Sequence, residues 1–554
     1  MTEKLLLEAI YEWERNSPDR LYMTQPLGNG EVAEYTWAQT MDQARRMAAY
    51  LRSLDLPPCS NIAMVSKNCA HFIIAEIAIW MAGHATVALY PTLNAETVAF
   101  ILEHSESALL FVGKLDDWDD MVSGVPEDLP RIAFPLAPQS DYPKWDDIVA
   151  QHEPISDSPV PPRDQLALIC YTSGSTGRPK GVMHSFASAS APSLGAIDDL
   201  GIGTGDRMLS YLPLAHVMER AIVECGSFYT GMQIYFAESL DTFLADLKRA
   251  RPTLFISVPR LWLKFQLGVF QQFPEEKLAR LLKIPLVGRR VRRKVLEGLG
   301  LENVRLAGSG SAPIPAELID WYNSLGIQLL EGYGMSEDFA YSHMSKPELR
   351  RAGYVGVPSP GVETRISEDG EIQIKSPGNM LGYYKDPELT AACYTEDGFF
   401  RTGDRGEYAQ DGLLRITGRV KELFKTSKGK YVAPVPIENL LNADNHIELS
   451  CVSGPGRPAC HAIVQLAEDM RPRLADPDFR AELTLKLEGL LAAINDQVEE
   501  YERLQFLAVV RDEWDFSNDF LTPTLKIKRE VVESAYGPHL DTWYGDGSRV
   551  IWHD

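Results

Sequence analysis

The sequence predicts an α/β protein with a large N-terminal part that contains parallel sheets and a smaller C-terminal part of mixed α/β structure. Apolar runs of strand length alternate with helical patterns through about the first 350 residues, which predicts parallel sheets with right-handed crossovers. From about Gly361 the pattern changes to short strands and turns, and mixed α/β patterns return beyond Lys421. At 554 residues the chain is too long for one compact core, which indicates several domains.

The elements of the N-terminal part follow from the apolar spacing. Residues 1–20 have an amphipathic helical pattern with acidic residues throughout, and they lack the uncharged core of a signal peptide. Helical spacing also covers Glu96–Ser107. Strands are predicted at Asn61–Ser66, Ala108–Gly113, Leu166–Thr172, Thr253–Pro259 and Val304–Ser311.

The segment from His71 to Tyr90 has the apolar character of a membrane span. It nevertheless contains His71, Glu76 and His84, and Gly83 interrupts it. A membrane-spanning helix needs about 20 mainly apolar residues without such groups. We therefore expect a buried helix followed by a strand.

The later region predicts a barrel-like antiparallel unit. In the stretch Gly370–Ser376, Ile372 and Ile374 fall on one face, and the polar residues between them fall on the other. We expect an N-terminal domain over residues 1–420, with a barrel-like subdomain over about 355–420. A C-terminal domain then covers residues 421–554, with a boundary near Arg419–Lys421.

Charge and cysteine content narrow the class of protein. The chain has 54 basic and 77 acidic residues, a net charge of -23, which disfavours a nucleic-acid partner but leaves room for a local anion pocket. The seven cysteines form no CxxC pair and no zinc-spaced cluster, which is typical of a reducing compartment. We expect a cytoplasmic protein, and peripheral contact with a membrane stays open.

The stretch YTSGSTGRPKG, from Tyr171 to Gly181, follows a predicted buried strand and holds glycines, hydroxyls and a lysine. Glycine lets backbone amides approach a ligand closely, and hydroxyls and lysine supply further donors, so the composition suits a polyphosphate. A Walker A loop has four residues between its first glycine and Gly-Lys-Ser/Thr, and the spacing of Gly174, Gly177 and Lys180 differs.

This stretch resembles the phosphate-loop signature of adenylate-forming enzymes, the superfamily that contains acyl-CoA synthetases and amino-acid adenylation domains. The resemblance extends over nearly the whole chain, from about Tyr35 to Tyr536. It implies a large domain of two doubly wound sheets with the barrel-like subdomain, and a small mobile C-terminal domain. It also implies that the loop holds the phosphates of ATP, through Thr172, Ser173, Gly174, Ser175, Thr176, Gly177 and Lys180.

Two further stretches resemble the family's nucleotide motifs. GYGMSE, from Gly332 to Glu337, implies that Glu337 binds Mg²⁺ and that Tyr333 stacks on adenine, with Gly334 and Ser336 as further nucleotide-binding positions. A carboxylate is a ligand that Mg²⁺ prefers, and Thr172 is the second metal ligand that the resemblance implies. GSGSAPIP, from Gly308 to Pro315, resembles the segment on the adenine side and includes Gly310.

The sugar-binding and hinge positions are implied by DGFFRTGD and by the ITGRVKELF segment that follows it. Asp404 matches the aspartate that accepts hydrogen bonds from both ribose hydroxyls, and Arg419 matches the arginine that contacts the ribose. Lys421 matches the hinge position between the two domains.

The family's essential C-terminal lysine corresponds to LTPTLKIKRE. The motif selects Lys526, preceded by Leu525 where many members have glycine, a departure that matches the long-chain fatty acyl branch. Residue chemistry alone leaves Lys528 open, because residues two apart in an extended segment face the same side.

The stretch YLPLAHVMER resembles the fatty acyl-CoA synthetase form of the substrate-side motif, which implies a catalytic role for His216 where carboxylate, adenylate and thiol meet. The apolar stretches 225–236 and 255–265 lie where the family builds its acyl tunnel. Core packing is an equal explanation for any one residue in them.

Together these motifs imply an AMP-forming acid:CoA ligase that uses ATP, Mg²⁺, coenzyme A and an apolar, medium- to long-chain carboxylic acid. An acyl-AMP ligase that loads a carrier protein and an aryl or other acid:CoA ligase stay as alternatives. The chain length of the acid and the oligomeric state, including a dimer, are left open.

Overall fold

The computed structural model of the protein describes residues 4–172, 178–312, 314–468, 470–515, 518–522 and 526–553. These residues form strands that we number in chain order: β1 (Leu21–Gly28), β2 (Glu31–Thr36), β3 (Asn61–Val65), β4 (Ala85–Leu89), β5 (Leu109–Val112), β6 (Arg131–Ala133), β7 (Leu166–Thr172), β8 (Lys180–Ser185), β9 (Arg207–Ser210), β10 (Gln233–Phe236), β11 (Leu254–Ser257), β12 (Leu306–Ser309), β13 (Leu329–Tyr333), β14 (His343–Met344), β15 (Val357–Pro358), β16 (Glu363–Ile366), β17 (Glu371–Lys375), β18 (Gly382–Tyr383), β19 (Phe400–Tyr408), β20 (Leu414–Arg419), β21 (Phe424–Lys425), β22 (Tyr431–Val432), β23 (Ile447–Ser453), β24 (Cys460–Leu466), β25 (Leu504–Val510) and β26 (Val550–His553).

The α-helices are numbered in the same way. They are α1 (Leu6–Asn16), α2 (Trp37–Ser53), α3 (Ala70–Met81), α4 (Ala95–His104), α5 (Trp118–Val122), α6 (Trp145–Gln151), α7 (Phe186–Leu200), α8 (Gly226–Thr230), α9 (Phe243–Ala250), α10 (Pro259–Gln272), α11 (Glu275–Leu282), α12 (Val287–Leu299), α13 (Ala316–Leu325), α14 (Pro387–Ala392), α15 (Pro434–Leu441), α16 (Pro477–Asn495), α17 (Arg529–Tyr536) and α18 (Leu540–Asp546). A π-helical turn, Glu219–Cys225, leads into α8.

The first sheet of the N-terminal part has the strand order β18-β8-β7-β4-β3-β5-β6. Its centre, from β7 to β6, is parallel, and β8 and β18 complete it with antiparallel pairings. The predicted strand Leu166–Thr172 coincides with β7, because a fully buried parallel strand is a continuous apolar run bounded by turn residues. The phosphate-loop segment therefore leaves the carboxyl end of a central strand.

The second sheet region joins β2-β1-β10-β9 to β11-β12-β13-β14-β15. The two sets meet where the Thr253 N–H donates to the Arg207 carbonyl over 3.0 Å. The pairs β1–β10, β10–β9, β11–β12 and β12–β13 are parallel. The predicted α/β class with parallel sheets is confirmed, because helices occupy the intervals between these strands.

The barrel-like unit is an antiparallel sheet of order β16-β17-β19-β20. Both faces of β17 are covered, because Glu371 and Gln373 are buried as well as the two isoleucines. Both polar groups find partners: Glu371 accepts from the Gly403 N–H at 3.0 Å, and the Gln373 side-chain oxygen accepts from Arg365 Nε at 2.8 Å. A polar side chain that has hydrogen-bond partners can be buried, so the polarity of these two residues does not indicate exposure to solvent.

The C-terminal part has its own sheet, β23-β24-β25-β26, which mixes one antiparallel pairing with two parallel ones. Two apolar clusters pack on its faces, and their buried members all lie beyond Lys421, starting at Phe424. An ion pair between Arg260 and Glu448 joins this part to the N-terminal part. The boundary near Arg419–Lys421 stays a proposal.

The segment with the character of a membrane span forms α3 followed by β4, as predicted. Its Glu76 is fully buried beside two other fully buried ionisable groups, with 2.9 Å between Glu76 Oε1 and Arg220 Nη1, and 3.9 Å between Arg220 Nε and Glu224 Oε2. Burial and the charge of Glu76 raise the pKa of Glu224. Within the part of the chain that the structure describes, no helix combines the length and apolar composition needed to cross a bilayer.

We predict that Arg220→Met will destabilise the protein by about 3–5 kcal/mol, because it leaves the Glu76 carboxylate buried without its partner. Urea unfolding of the N-terminal part measures the change. The triple variant Glu76→Gln, Arg220→Met, Glu224→Gln is the control and should recover much of the loss, since it leaves no uncompensated charge. An Arg220→Met protein with the wild-type midpoint would contradict this.

Candidate active site

The two ends of the predicted phosphate loop are held by the pairing of β7 with β8. Thr172 and Lys180 face each other as a register pair, and Tyr171 pairs with Gly181 in the same ladder. The predicted loop residues between them, Ser173–Gly177, lie outside the described residues. The ladder therefore brings Thr172 and Lys180 to the same edge of the sheet.

Lys180 is connected to the predicted metal ligand Glu337 through one tyrosine. The Lys180 Nζ lies 5.5 Å from the centre of the Tyr383 ring, and the Tyr383 hydroxyl donates to Glu337 Oε1 over 2.7 Å. The pairing of β18 with β8 puts Tyr383 beside the strand that begins at Lys180. Sequence reasoning missed Tyr383, because its position depends on an antiparallel pairing about 200 residues away that no local spacing reveals.

The turn that carries Glu337 is built around a glycine and a buried histidine. His184 Nε2 lies 2.7 Å from the Ser336 carbonyl oxygen and donates to it. A Cβ on Gly334 would come within 2.6 Å of the Ala340 backbone, so this turn requires glycine. Ser336, Gly334 and Glu337 are therefore brought together in one tight turn, and their roles in binding nucleotide and metal stay predictions.

The two segments predicted on the adenine side also meet. The Gly310 N–H donates to the Ser257 carbonyl at 3.3 Å. A Cβ built on Gly310 would lie 3.6 Å from the carbonyl oxygen of Gly332, at the start of the GYGMSE stretch. β12 and β13, which precede these segments, pair in parallel, so both segments leave the same edge of the sheet.

Asp404 is held between Tyr333 and Arg419. The Tyr333 hydroxyl donates to Asp404 Oδ2 over 2.8 Å, and Arg419 Nε lies 3.1 Å from Asp404 Oδ1. Asp404 and Arg419 are also opposite residues in the β19–β20 ladder. Burial and the Asp404 charge raise the pKa of Tyr333. The carboxylate is fixed in orientation, with remaining lone pairs for a diol. The stacking of Tyr333 on adenine stays a prediction.

His216 lies on a turn that follows Pro213 and ends at the π-helical turn. Burial, together with the positive charge of Lys526, lowers its pKa to about 4, so the imidazole is neutral at pH 7. Its Nδ1 accepts from the Met218 N–H at 3.2 Å, which leaves the proton on Nε2 as a donor. The Leu214 N–H donates to Asn68 Oδ1 at 3.0 Å, and this hydrogen bond anchors the turn.

Lys526 lies where the C-terminal part meets these groups. Burial and the positive charge of Arg419 lower its pKa, and the carboxylates of Asp404 and Glu337 act in the opposite direction. Its effect on His216 places it near that side chain as well. The side chain keeps access to solvent. We refer to the space beside Lys526, Arg419, Asp404 and Glu337 as the cleft.

Lys528 is engaged elsewhere. Its Nζ forms an ion pair with Asp519, and an isolated bridge between Leu521 and Ile527 joins the same two segments. Of the two lysines that residue chemistry left open, Lys528 pairs with Asp519, whereas the charges of Arg419, Asp404 and Glu337 act on Lys526. The choice of Lys526 stays a prediction.

The remaining predicted positions are the hinge residue and the two stretches expected to line an acyl tunnel. Lys421 is exposed on the short turn Val420–Glu422 that directly follows β20, where the chain leaves the barrel-like unit. The apolar stretches predicted to line an acyl tunnel pack into core clusters, with Phe228 and Phe236 in one cluster and Trp262 in another. Their role as tunnel lining stays a prediction.

The donor set fits a magnesium ion bound mainly through its nucleotide. Among the described residues, no group of three or more His, Cys, Asp or Glu side chains could hold a metal by itself. Mg²⁺ typically uses one or two carboxylates together with substrate phosphates. Glu337 supplies one carboxylate, with one oxygen already oriented by Tyr383.

Two family models match the two parts of the chain. The family model described as AMP-binding enzyme matches residues 10–384, and that described as AMP-binding enzyme C-terminal domain matches residues 422–548. A long-chain-fatty-acid–CoA ligase of Mycobacterium tuberculosis, FadD15, is 30% identical over 97% of this chain and 96% of its own length. Long-chain-fatty-acid–CoA ligase 1 of Cavia porcellus is 27% identical over 93% of this chain and 82% of its own.

Solved structures share the fold. The A domain of carboxylic acid reductase from Segniliparus rugosus, in complex with AMP and a co-purified carboxylic acid, has a TM-score of 0.80 at 21% identity and covers 98% of this chain and 94% of its own. ATP-bound MatB from Rhodopseudomonas palustris has a TM-score of 0.75 at 22% identity, over 97% of this chain and 99% of its own.

We predict that the position of Lys526 can be measured by pH-dependent amine labelling. Arg419→Ala should move the labelling midpoint of Lys526 to higher pH, because it removes a positive charge that lowers the pKa of this lysine. Asp404→Asn should move it to lower pH, since the carboxylate raises that pKa. Labelling with an amine-specific ester, followed by mass spectrometry of the Lys526 peptide, gives the midpoint.

The control is Arg457→Ala, an arginine of the C-terminal part that pairs with Asp541 and should leave the Lys526 midpoint unchanged. Equal midpoints in wild type, Arg419→Ala and Asp404→Asn would show that Lys526 lies outside this cleft.

Proposed function

This chain belongs to the AMP-binding enzyme family, in its fatty acyl-CoA synthetase branch, and from that premise we propose the reaction and the residues that carry it. The enzyme is an acyl-CoA synthetase. We propose that it joins an apolar, medium- to long-chain carboxylic acid to coenzyme A, with ATP converted to AMP and pyrophosphate. The relatives that are named for long-chain acids support this choice of acid.

One observation carries the proposal. Lys526, on a loop of the C-terminal part, lies close enough to Arg419, Asp404 and Glu337 for their charges to act on it. A cation beside a fixed diol acceptor and a metal-binding carboxylate suits the α-phosphate of a bound nucleotide.

In the first half of the reaction, an oxygen of the substrate carboxylate attacks the α-phosphorus and pyrophosphate leaves. The two reactants are both anions, and negative charge builds on the phosphoryl oxygens. We propose that Lys526 contacts both the carboxylate and the α-phosphate, which offsets their repulsion and aligns the attack. The loop from Thr172 to Lys180 holds the β- and γ-phosphates. The neutral His216, with its donor at Nε2, orients the carboxylate.

Magnesium fits this scheme at Glu337, together with Thr172 and phosphate oxygens. When bound, the ion supplies neutralisation of the charge on the phosphates. The protein's contribution is to hold the Glu337 carboxylate in place, through the 2.7 Å hydrogen bond that Tyr383 donates.

In the second half, the thiol sulfur of coenzyme A attacks the acyl carbonyl carbon, and AMP leaves as the carbon–oxygen bond breaks. The thiol needs the space that Lys526 occupies during the first half-reaction. We propose that the C-terminal domain rotates about the exposed turn that contains Lys421, which withdraws Lys526 after the adenylate has formed.

The proposed substrate class can be tested with a panel of acids from acetate to stearate plus aromatic acids, scored by AMP release with coenzyme A present. We expect turnover to rise with chain length into the medium- to long-chain range, because each buried methylene adds about 0.8 kcal/mol of binding. Parallel reactions with a carrier protein replacing coenzyme A distinguish the acyl-AMP ligase. Preferred turnover of aromatic acids, or acyl transfer to the carrier alone, would overturn the proposal.

We predict that Lys526→Ala will separate the two half-reactions. ATP–pyrophosphate exchange should fall by about 100- to 1,000-fold, as for loss of one donor to developing charge, while thioester formation from supplied acyl-AMP is retained. Lys528→Ala is the matched control, because Lys528 pairs with Asp519 outside the cleft, and it should leave the exchange rate within a few-fold of wild type. Equal damage to both half-reactions by Lys526→Ala would reject the proposed role.

A further inference from the structure

A strongly basic segment lies within this acidic chain. Residues 277–296 contain eight lysine and arginine residues and no aspartate or glutamate, a local charge of +8. Since the net charge is -23, the rest of the chain carries -31. A concentration of one sign against the overall charge creates a local field that selects partners of opposite sign.

Most of the cations of helix α12 lie on its solvent-exposed face. Its buried residues Val295 and Leu299 lie on one face, together with Gly288. At 100° per residue, four cations fall on the opposite face, and all four are exposed: Arg289, Arg290, Arg293 and Lys294. The fifth cation of the helix, Arg292, lies toward the protein and donates to the carbonyls of Ser324 and Leu282.

Three large apolar side chains are exposed beside these cations. They lie at the turn between α11 and α12: Ile284 is 47% exposed, Leu286 is 80% exposed and Val287 is 41% exposed. Val287, the first residue of α12, falls on the same side of the helical projection as Arg290 and Lys294, and Leu286 directly precedes it. Leu286 has a φ of 68°, a left-handed conformation that a leucine adopts only when its surroundings impose it.

Most of the cations are not neutralised by the protein. Within the described ranges, ion pairs join Arg293 to Glu297 at 2.7 Å and Arg280 to Glu276 at 3.3 Å, both in exposed positions. No ion pair is seen there for Arg289 or Arg290. Their charge is therefore available to an external partner.

We propose that the surface formed by Lys283–Lys294, the basic-apolar surface, docks on a membrane that contains anionic lipids. Anionic headgroups attract the cations, and the apolar turn at Leu286 inserts at the boundary between headgroups and acyl chains, as in helices that lie in the interface. A nucleic acid would pair with the cations but would give Ile284 and Leu286 no apolar partner. The combination of both features therefore favours a lipid surface.

The position of this surface suggests why the protein would dock on a membrane, an explanation that rests on the proposed function. Helices α11 and α12 pack in the same core cluster as α10, through residues such as Leu278, Val295 and Phe265. Helix α10 begins within the apolar stretch that is predicted to line the acyl tunnel. A fatty acid dissolved in the bilayer would thus reach the tunnel without crossing water.

Sedimentation of the full chain with vesicles tests the docking directly, without any turnover. Wild-type protein should bind vesicles of equimolar phosphatidylcholine and phosphatidylglycerol, and binding to phosphatidylcholine alone should be much weaker. The double variant Arg289→Glu, Arg290→Glu should lower the partition coefficient by at least about fivefold for each cation lost. Leu286→Asp should lower it several-fold, and added salt should weaken wild-type binding.

Matched controls exclude effects of net charge or of surface leucines in general. The double variant Arg15→Glu, Lys144→Glu changes the charge equally at exposed sites elsewhere. Leu240→Asp replaces a leucine that is 91% exposed outside this surface. Both controls should bind vesicles as wild type does, and all variants should turn over an acid that is soluble without vesicles at the wild-type rate.

Several results would overturn the proposal. These are equal binding to both vesicle types, no binding to either, or the same loss of binding in the controls. A dimer in the absence of vesicles that Leu286→Asp dissociates, with no lipid binding, would assign the surface to a second copy instead. Normal vesicle binding by a protein that activates no acid would instead count against the proposed function and leave the docking intact.

Discussion

An ammonium group on the small C-terminal part lies in a cleft whose walls belong to the large N-terminal part. Lys526 shares this cleft with Arg419, a like charge that lowers its pKa, and with Asp404 and Glu337, which offset the repulsion. Two cations kept close together favour an anion between them. A bound phosphate would therefore strengthen the closed arrangement, and its departure would favour opening. The proposed separation of the two half-reactions depends on this balance.

The substrate-side turn is held by polar groups that are themselves buried. Asn68 accepts from the Leu214 N–H, and Arg220 Nε donates to the Leu214 carbonyl at 2.9 Å, so both backbone groups of one residue are fixed. Burial raises the pKa of Glu219 to about 8, and this carboxyl accepts from Ser210 Oγ at 2.7 Å. His216 follows on this turn. A rigid support keeps a neutral imidazole in one orientation, which the proposed positioning of the substrate carboxylate requires.

Local patterns predicted the parts of the fold that local physics determines. The strand β7 and the buried helix α3 follow from apolar runs bounded by turn residues, and the motif residues follow from resemblance. Contacts between distant segments could not be predicted in this way. Tyr383 reaches Glu337 only through strand pairing, and Glu76 is tolerated in α3 only because Arg220 is brought against it. The choice between Lys526 and Lys528 also depends on a contact, the ion pair of Lys528 with Asp519.

We propose that one nucleotide is held at its phosphate end by the loop ending at Lys180 and at its reacting phosphate by Lys526. A crystal structure of the protein with a non-hydrolysable ATP analogue and a fatty acid would show whether both lysines contact one ligand. We expect ribose hydroxyls on Asp404, terminal phosphates on Lys180, and Lys526 Nζ in hydrogen-bond contact with both the α-phosphate and the carboxylate. Lys180 and Lys526 bound to separate ligands would refute this arrangement.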